Sequence, residues 1–187
     1  MYKDAKLKDF IKVYDIIPQK DAEKILKEVK NIPYERHNFY SERTRTYKQH
    51  EIEPMRSGET IPSHEMLMDY MWQAAEQYAV KDLASDFWNG WNGFSRPKYN
   101  KYIEGEEMAF HCDHIHDLFD GIIRGIPVLS MIASFNDDYE GGELVINGES
   151  IKLKQGQIII FPSVFLFPHK VATVTKGERY TAVCWTW

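Results

Sequence analysis

A mainly β fold is what this sequence predicts: a double-sheet jelly roll, or double-stranded β-helix, covered on one outer face by N-terminal helices. Three observations lead there. Eight short apolar or β-branched runs, broken by Gly, Asp and Asn, follow one another from residue 97 onward, and strands recurring every 8 to 12 residues or so point to a sandwich or barrel. Two segments with helical periodicity stand before them. At 187 residues, with 43% hydrophobic and 14% aromatic side chains, the chain has enough apolar surface for one core and too little length for a second independent domain.

Residues 10–17, FIKVYDII, are rich in β-branched and aromatic side chains and predict a strand, with Pro18 opening the next element. From Lys20 to Val29, Ala22, Ile25, Leu26 and Val29 recur at helical spacing, with Asp21 and Glu23 near the end where the helix dipole favours acids. The charged stretch 41–60 keeps neither period and reads as a mobile loop or an irregular hairpin. A second helix is expected from an N-cap at Ser63 to about Leu83, with Leu67, Tyr70, Met71, Ala74, Tyr78 and Ala79 as its core stripe. After the turn-rich WNGWNG at 88–93, the strands are expected at 97–104, 107–112, 127–135, 143–147, 150–153, 157–161, 169–174 and 179–187. The organisation predicted is one domain over 1–187, with 1–94 a strand and helical support and 95–187 the jelly-roll core.

Charge and cysteine usage narrow the function classes. A formal net charge of −5 argues against a protein that tracks nucleic-acid phosphates, leaving only a local basic patch open. Two cysteines, Cys112 and Cys184, are too few for a disulfide-stapled secreted scaffold and suit a reducing compartment. The N-terminal residues lack a signal-peptide core, and IIIFPSVFLFP at 158–168 is too short and proline-broken to cross a bilayer. The expected location is the cytoplasm, with no membrane contact. Oligomeric state is not legible here.

The densest cluster of candidate metal ligands is HCDHIHD at 111–117. On extended backbone His111 and Asp113 point to one side and Cys112 to the other, so the pair can bite one ion. His169, at the start of another predicted strand, would complete a face of two histidines and one carboxylate. Such a face leaves coordination positions open, which suits non-haem Fe(II) oxygen chemistry better than a closed structural zinc site. An isolated H-x-D is more often a pair of solvent-facing loop side chains. His114, His116 and Asp117 are competing donors; the default role of His114 and His116 is a polar rim of the pocket mouth.

Arg179 strengthens the case. It follows His169 by ten residues across a turn centred on Thr175-Lys176-Gly177, and a three-residue hairpin loop commonly ends in a left-handed glycine. In that hairpin Thr173 lies opposite Arg179, and Arg179, Thr181, Val183 and Trp185 face inward with His169. A guanidinium inside a barrel needs an anion, and its planar fork matches a carboxylate. A metal with open positions beside such a residue describes a keto-acid cosubstrate with a distal carboxylate, namely 2-oxoglutarate.

The run Tyr102-Ile-Glu-Gly105 through His111-Cys-Asp113, then NDDYEGGEL at 136–144, GQIIIFPS at 156–163, His169 and KGERYTAVCW at 176–185 resembles the Fe(II)/2-oxoglutarate-dependent dioxygenases, and within them the prolyl 4-hydroxylase-like branch. The resemblance implies that His111, Asp113 and His169 hold iron and that Arg179 takes the C5 carboxylate of 2-oxoglutarate. It further implies cofactor contacts for Thr181 and Tyr102, with Ser134 where some relatives carry a second pocket tyrosine. The implied reaction uses Fe(II), 2-oxoglutarate and O2, with ascorbate as a reductant, to hydroxylate an unactivated C–H bond while releasing succinate and CO2. By analogy the substrate is a prolyl residue in a peptide or protein; a free amino acid or small metabolite comes next. From another class, a non-enzymatic metal-binding jelly-roll module or a zinc protein would use the same ligands. Segments 114–126 and 41–60 are candidate lids.

Overall fold

The structure, a computed structural model, describes residues 4–41, 45–49, 52–83, 90, 92–113 and 126–187. A 3-10 turn at Leu7–Phe10 leads into β1 (Lys12–Asp15), α1 (Gln19–Lys30), β2 (Glu35–Arg36), the β3–β4 hairpin (Asn38–Ser41, Thr46–Gln49), β5 (Met55–Ser57) and α2 (His64–Glu76). A π-helical turn, Gln77–Asp82, extends α2. The strands that follow are β6 (Lys98–Tyr102), β7 (Met108–His111), β8 (Leu129–Ser134), β9 (Glu140–Gly141), β10 (Leu144–Ile146), β11 (Glu149–Ile151), β12 (Gln157–Pro162), β13 (His169–Val171), β14 (Val174–Lys176) and β15 (Arg179–Thr186). No helix among the described residues is long and apolar enough to cross a membrane.

Two antiparallel sheets carry the architecture. The larger has the order β1-β12-β8-β15-β6-β5-β2 and the smaller β11-β10-β13-β7. Between them lies one apolar layer, with Ile132, Ile159, Phe161, Val183 and Trp185 from the larger sheet against Met108, Leu144, Ile146 and Val171 from the smaller. On the other face of the larger sheet, Met131, Ala133, Ile158, Ile160, Ala182 and Cys184 pack beneath Ala22, Ile25 and Val29 of α1 and Leu67, Met71 and Ala74 of α2. The central strands are therefore buried on both faces, and their near-continuous apolar runs follow from that. Each large side chain so enclosed contributes about 1.5–3 kcal/mol by leaving water. This is the predicted jelly roll with helices over one outer face.

The predicted helices form, with α1 presenting the expected stripe. Ser63 occupies the N-cap of α2 but makes no capping bond. Its N–H and hydroxyl both donate to the Glu28 carboxylate of α1, each at 2.8 Å, so the residue ties two helices together. Tyr70 adds a second tie, donating to Asp21 at 2.7 Å. The stretch 41–60, expected to be a loop or irregular hairpin, contains β4, which pairs in regular register with β3 just before it, and β5, a strand of the larger sheet. Its charges hid the strand, because only three residues pair and no apolar alternation marks them.

One expectation is overturned. Residues 169–174 and 179–187 do not form a hairpin. β13 pairs with β10 and β7 in the smaller sheet, whereas β15 lies between β8 and β6 in the larger. The chain crosses between sheets through β14, where Val174 pairs with Gly141 and Lys176 with Glu140. Gly177 does adopt the left-handed conformation, at φ +82°. Arg179 faces inward for another reason: it shares an alternating face of β15 with Val183 and Trp185, opposite Tyr102 on β6.

Gly141 permits this crossing. At φ +71°, a Cβ there would stand 2.2 Å from the Thr173 carbonyl oxygen, a backbone atom that cannot swing away. Gly141→Ala is expected to cost about 2–3 kcal/mol, lowering Tm by roughly 4–12 °C. Gly148, at φ +83° with nothing within 4 Å, supplies the control, since Gly148→Ala bears only the left-handed penalty of about 1–2 kcal/mol. Thermal unfolding of both variants checks the ordering.

Candidate active site

The end of β7 and the start of β13 lie side by side, with His111 directly opposite His169. That pairing sets their rings 4.3 Å apart, centroid to centroid. Each ring is oriented by its own backbone: Nδ1–H of His111 donates to the Ala109 carbonyl at 2.8 Å, and Nδ1–H of His169 to the Phe167 carbonyl at 3.1 Å. A carbonyl only accepts, so both bonds leave Nε2 as the free lone pair, the tautomer a metal ligand needs.

Asp113 faces both rings. Its Oδ1 lies 3.5 Å from Nε2 of His111, and its Oδ2 lies 3.6 Å from Nε2 of His169. One donor atom from each residue fits within a 4.8 Å span. Two donors at about 2.1 Å from one ion stand about 3.0–3.4 Å apart between right-angle and tetrahedral geometry, so small side-chain adjustments would let the three share an ion. The donor chemistry, two imidazoles and one carboxylate, suits Fe(II).

A hydrogen-bond chain fixes the carboxylate. The Ser130 hydroxyl donates to Oδ2 of Asp113 at 2.7 Å and lies 2.8 Å from the Ser163 hydroxyl. Burial pushes the Asp113 carboxyl up, but the His111 and His169 rings and the Trp185 side chain outweigh it and hold the group well below the usual carboxylate range. For His111, burial pulls down while the bond and charge of Asp113 raise it further, leaving a net rise. His169 moves the other way, because burial and the neighbouring His111 outweigh Asp113.

Across the same interior, Arg179 is 2% exposed. Its Cζ sits 4.9 Å from the centroid of the Tyr102 ring, and Nη1 donates to the Thr181 hydroxyl at 3.4 Å. Nε is buried without a hydrogen-bond partner, and among the described residues no carboxylate pairs with the guanidinium. A cation so enclosed calls for an anion from outside the chain. Thr181 and Tyr102 are themselves buried, and burial raises the Tyr102 phenol despite the opposing charges of Arg179 and Arg56. Gly142 leaves room for this arrangement, since a Cβ there would lie 3.1 Å from Cδ of Arg179.

All six residues singled out from the sequence thus lie in the interior between the two sheets or at its edge. Trp185 packs in that interior beside Asp113, and the buried Ser134 hydroxyl donates to the Asn136 carbonyl at 3.0 Å. His114, His116, Asp117 and most of the 114–126 lid segment fall outside the described residues. Sequence reasoning missed Ser130, Ser163 and Arg56. A signal existed for Ser130: in LSMIAS it occupies an inward position of a strand buried on both faces, where a hydroxyl needs a partner.

Comparison with known proteins agrees with this arrangement. Residues 97–187 match the family model of the 2OG-Fe(II) oxygenase superfamily. A PKHD-type hydroxylase of Shewanella sp. (strain MR-7) is 39% identical over 97 residues, which are 49% of this chain and 42% of the relative's own length. A PKHD-type hydroxylase of Pseudomonas aeruginosa (strain LESB58) is 38% identical over 97 residues, 48% of this chain and again 42% of the relative. Among solved structures, a prolyl hydroxylase from Trichoplax adhaerens, in complex with a hypoxia inducible factor peptide fragment, superposes with a TM-score of 0.71 at 13% identity, over 96% of this chain and 84% of that one. The viral collagen prolyl hydroxylase of Paramecium Bursaria Chlorella virus-1 gives 0.67 at 16% identity, over 95% of both chains. These distant likenesses establish the fold alone. With the matched segment, the jelly roll and the inward histidine–aspartate–histidine set in place, residues 97–187 belong to the 2OG-Fe(II) oxygenase superfamily, and the chain has the fold of prolyl hydroxylases.

Proposed function

We propose that the protein is a non-haem Fe(II)- and 2-oxoglutarate-dependent dioxygenase that hydroxylates an unactivated C–H bond on a prolyl residue of a peptide or protein. The observation that carries this reading is a buried guanidinium, Arg179, that pairs with no carboxylate among the described residues and lies in the same interior as His111, Asp113 and His169. In the proposed assignment, Nε2 of both histidines and the Asp113 carboxylate hold the iron. Arg179 takes the C5 carboxylate of 2-oxoglutarate, Thr181 steadies the guanidinium through its hydroxyl, and the Tyr102 ring supports its face. When bound, iron with 2-oxoglutarate and O2 supplies the oxidising power, leaving succinate and CO2 as co-products and ascorbate as the reductant that maintains ferrous iron. The protein orients these groups and excludes water.

The prolyl substrate rests on the prolyl hydroxylases that share the fold and on the hydroxylase relatives of the matched segment. The two free cysteines fit the cytoplasm as its compartment. A metal-only binding module has no use for Arg179, which sets that alternative aside. Incubation of the iron-loaded protein with 2-oxoglutarate, O2 and a panel of proline-containing peptides tests the proposal. Succinate formation should rise with peptide, and the peptide should gain one oxygen atom at proline. Turnover stimulated only by free amino acids would move the substrate to that class.

Ser130→Ala checks the support of Asp113. Partners of this kind contribute about 10- to 100-fold to metal affinity, so a titration with Co(II) should show a loss in that range with the fold unchanged.

A further inference from the structure

A second guanidinium faces the interior, and the roles assigned above leave it unused. Arg56, the middle residue of β5, lies opposite Asn100 on β6; Asn100 lies opposite Thr181 on β15, and Thr181 opposite Ser134 on β8. Directly opposed residues of neighbouring strands present their side chains to one face. Arg56 therefore extends a polar row on the same face as Arg179 and Tyr102; beyond it the row runs out to Glu35 on β2, which is exposed and makes no ion pair with Arg56 among the described residues.

Among the described residues no hydrogen bond or ion pair holds the Arg56 guanidinium, and its Nε is buried without a partner. Asn100 beside it offers an unpartnered amide oxygen, which cannot neutralise the charge. Two carboxylates exert their charge on Arg56, Asp113 and Glu53. Asp113 belongs to the proposed ligand set, and Glu53 is engaged by His37 at 2.7 Å. Arg179 stands two strands away, about 10 Å across the sheet at the backbone, and the Tyr102 ring responds to the charge of both guanidinia. One terminal carboxylate of a short cosubstrate is expected to serve Arg179 and leave Arg56 free.

We infer that Arg56 is a substrate-recognition residue that takes a carboxylate carried by the prime substrate close to the carbon being hydroxylated. The carboxylate is either the terminal group of the substrate or the side chain of an acidic neighbour. A planar fork is the donor best matched to that group. This inference rests on the proposed function and adds a substrate class, acidic at its reacting end.

The test measures binding of three N-acetylated probes, Ala-Ala-Pro free acid, Ala-Ala-Pro amide and Ala-Pro-Glu amide. Calorimetry is run on protein loaded with Mn(II) and 2-oxoglutarate, which does not turn over, and on the metal-free protein. At least one acid-bearing probe should bind the wild type at least tenfold more tightly than Ala-Ala-Pro amide, and whichever does identifies the source of the carboxylate. Arg56→Gln should bind all three alike, Arg56→Lys should keep a reduced preference, and both variants should bind 2-oxoglutarate within about twofold of the wild type. Wild-type protein that binds none of the probes, or does not distinguish acid from amide, overturns the inference without any variant. So does a tenfold loss of 2-oxoglutarate affinity in Arg56→Gln, which would place Arg56 in the cosubstrate subsite. Failure of the wild type to bind Mn(II) or 2-oxoglutarate overturns the proposed function instead, and the metal-free comparison still reads Arg56.

Discussion

Asp113→Ala is expected to abolish metal binding and with it all 2-oxoglutarate turnover, while the far-UV circular dichroism spectrum stays that of the wild type. Asp113 is the group that joins the two rings, with one carboxylate oxygen near Nε2 of each histidine. Without it the histidines remain side by side, held by their Nδ1 bonds to backbone carbonyls, but two neutral donors bind divalent iron weakly. Outer partners alone are worth about 10- to 100-fold in affinity, so loss of the only anionic ligand should exceed about 100-fold. The architecture survives because Asp113 lies beyond the end of β7, and the apolar layers on both faces of the larger sheet do not depend on it. Asp113→Asn keeps the shape and removes the charge, and metal titration of both variants separates geometry from electrostatics. Retention of wild-type affinity by Asp113→Ala would move the iron site elsewhere.

Arg179→Gln should lose 2-oxoglutarate affinity by about 30- to 4,000-fold, the range for removing one partner of a buried, hydrogen-bonded charge pair at about 2–5 kcal/mol. Metal affinity in the absence of 2-oxoglutarate should change little, because among the described residues the Arg179 guanidinium engages Thr181 and Tyr102 and makes no hydrogen bond or ion pair with His111, Asp113 or His169. Arg179→Lys should recover part of the loss, since an ammonium keeps the charge but lacks the fork. Glutamine is preferred to alanine because the side chain is almost fully enclosed and a large cavity would cost stability of its own. Parallel titrations of metal and of 2-oxoglutarate on the same protein check the split, and equal losses in both would make Arg179 a structural residue.

Much of this architecture is legible in the sequence, for identifiable reasons. Strands buried on both faces need near-continuous apolar runs, and LSMIAS and QIIIFP supply them. The histidine–aspartate pair is visible because a two-residue spacing on extended backbone admits one geometry. Arg179 is visible because a charge within an apolar strand demands an explanation, yet the hairpin used to orient it does not exist. Local turn chemistry around Gly177 cannot reveal that β13 and β15 belong to opposite sheets, since that choice is made by long-range pairing with β7, β10, β6 and β8. In the structure Arg179 faces inward all the same, on the alternating face of β15 that carries Val183 and Trp185. Arg56 went unseen for a related reason: β5 has three residues, and only its partner strand turns a charged segment into part of the interior wall.

The most direct measurement is an anaerobic titration of the purified protein with Fe(II) and then 2-oxoglutarate, followed by visible absorption. A charge-transfer band should develop only when both are present, saturate at one equivalent of each, and be lost in Asp113→Ala. Iron binding without any band on addition of 2-oxoglutarate would contradict this expectation, leaving a metal-binding jelly roll whose Arg179 serves some other anion.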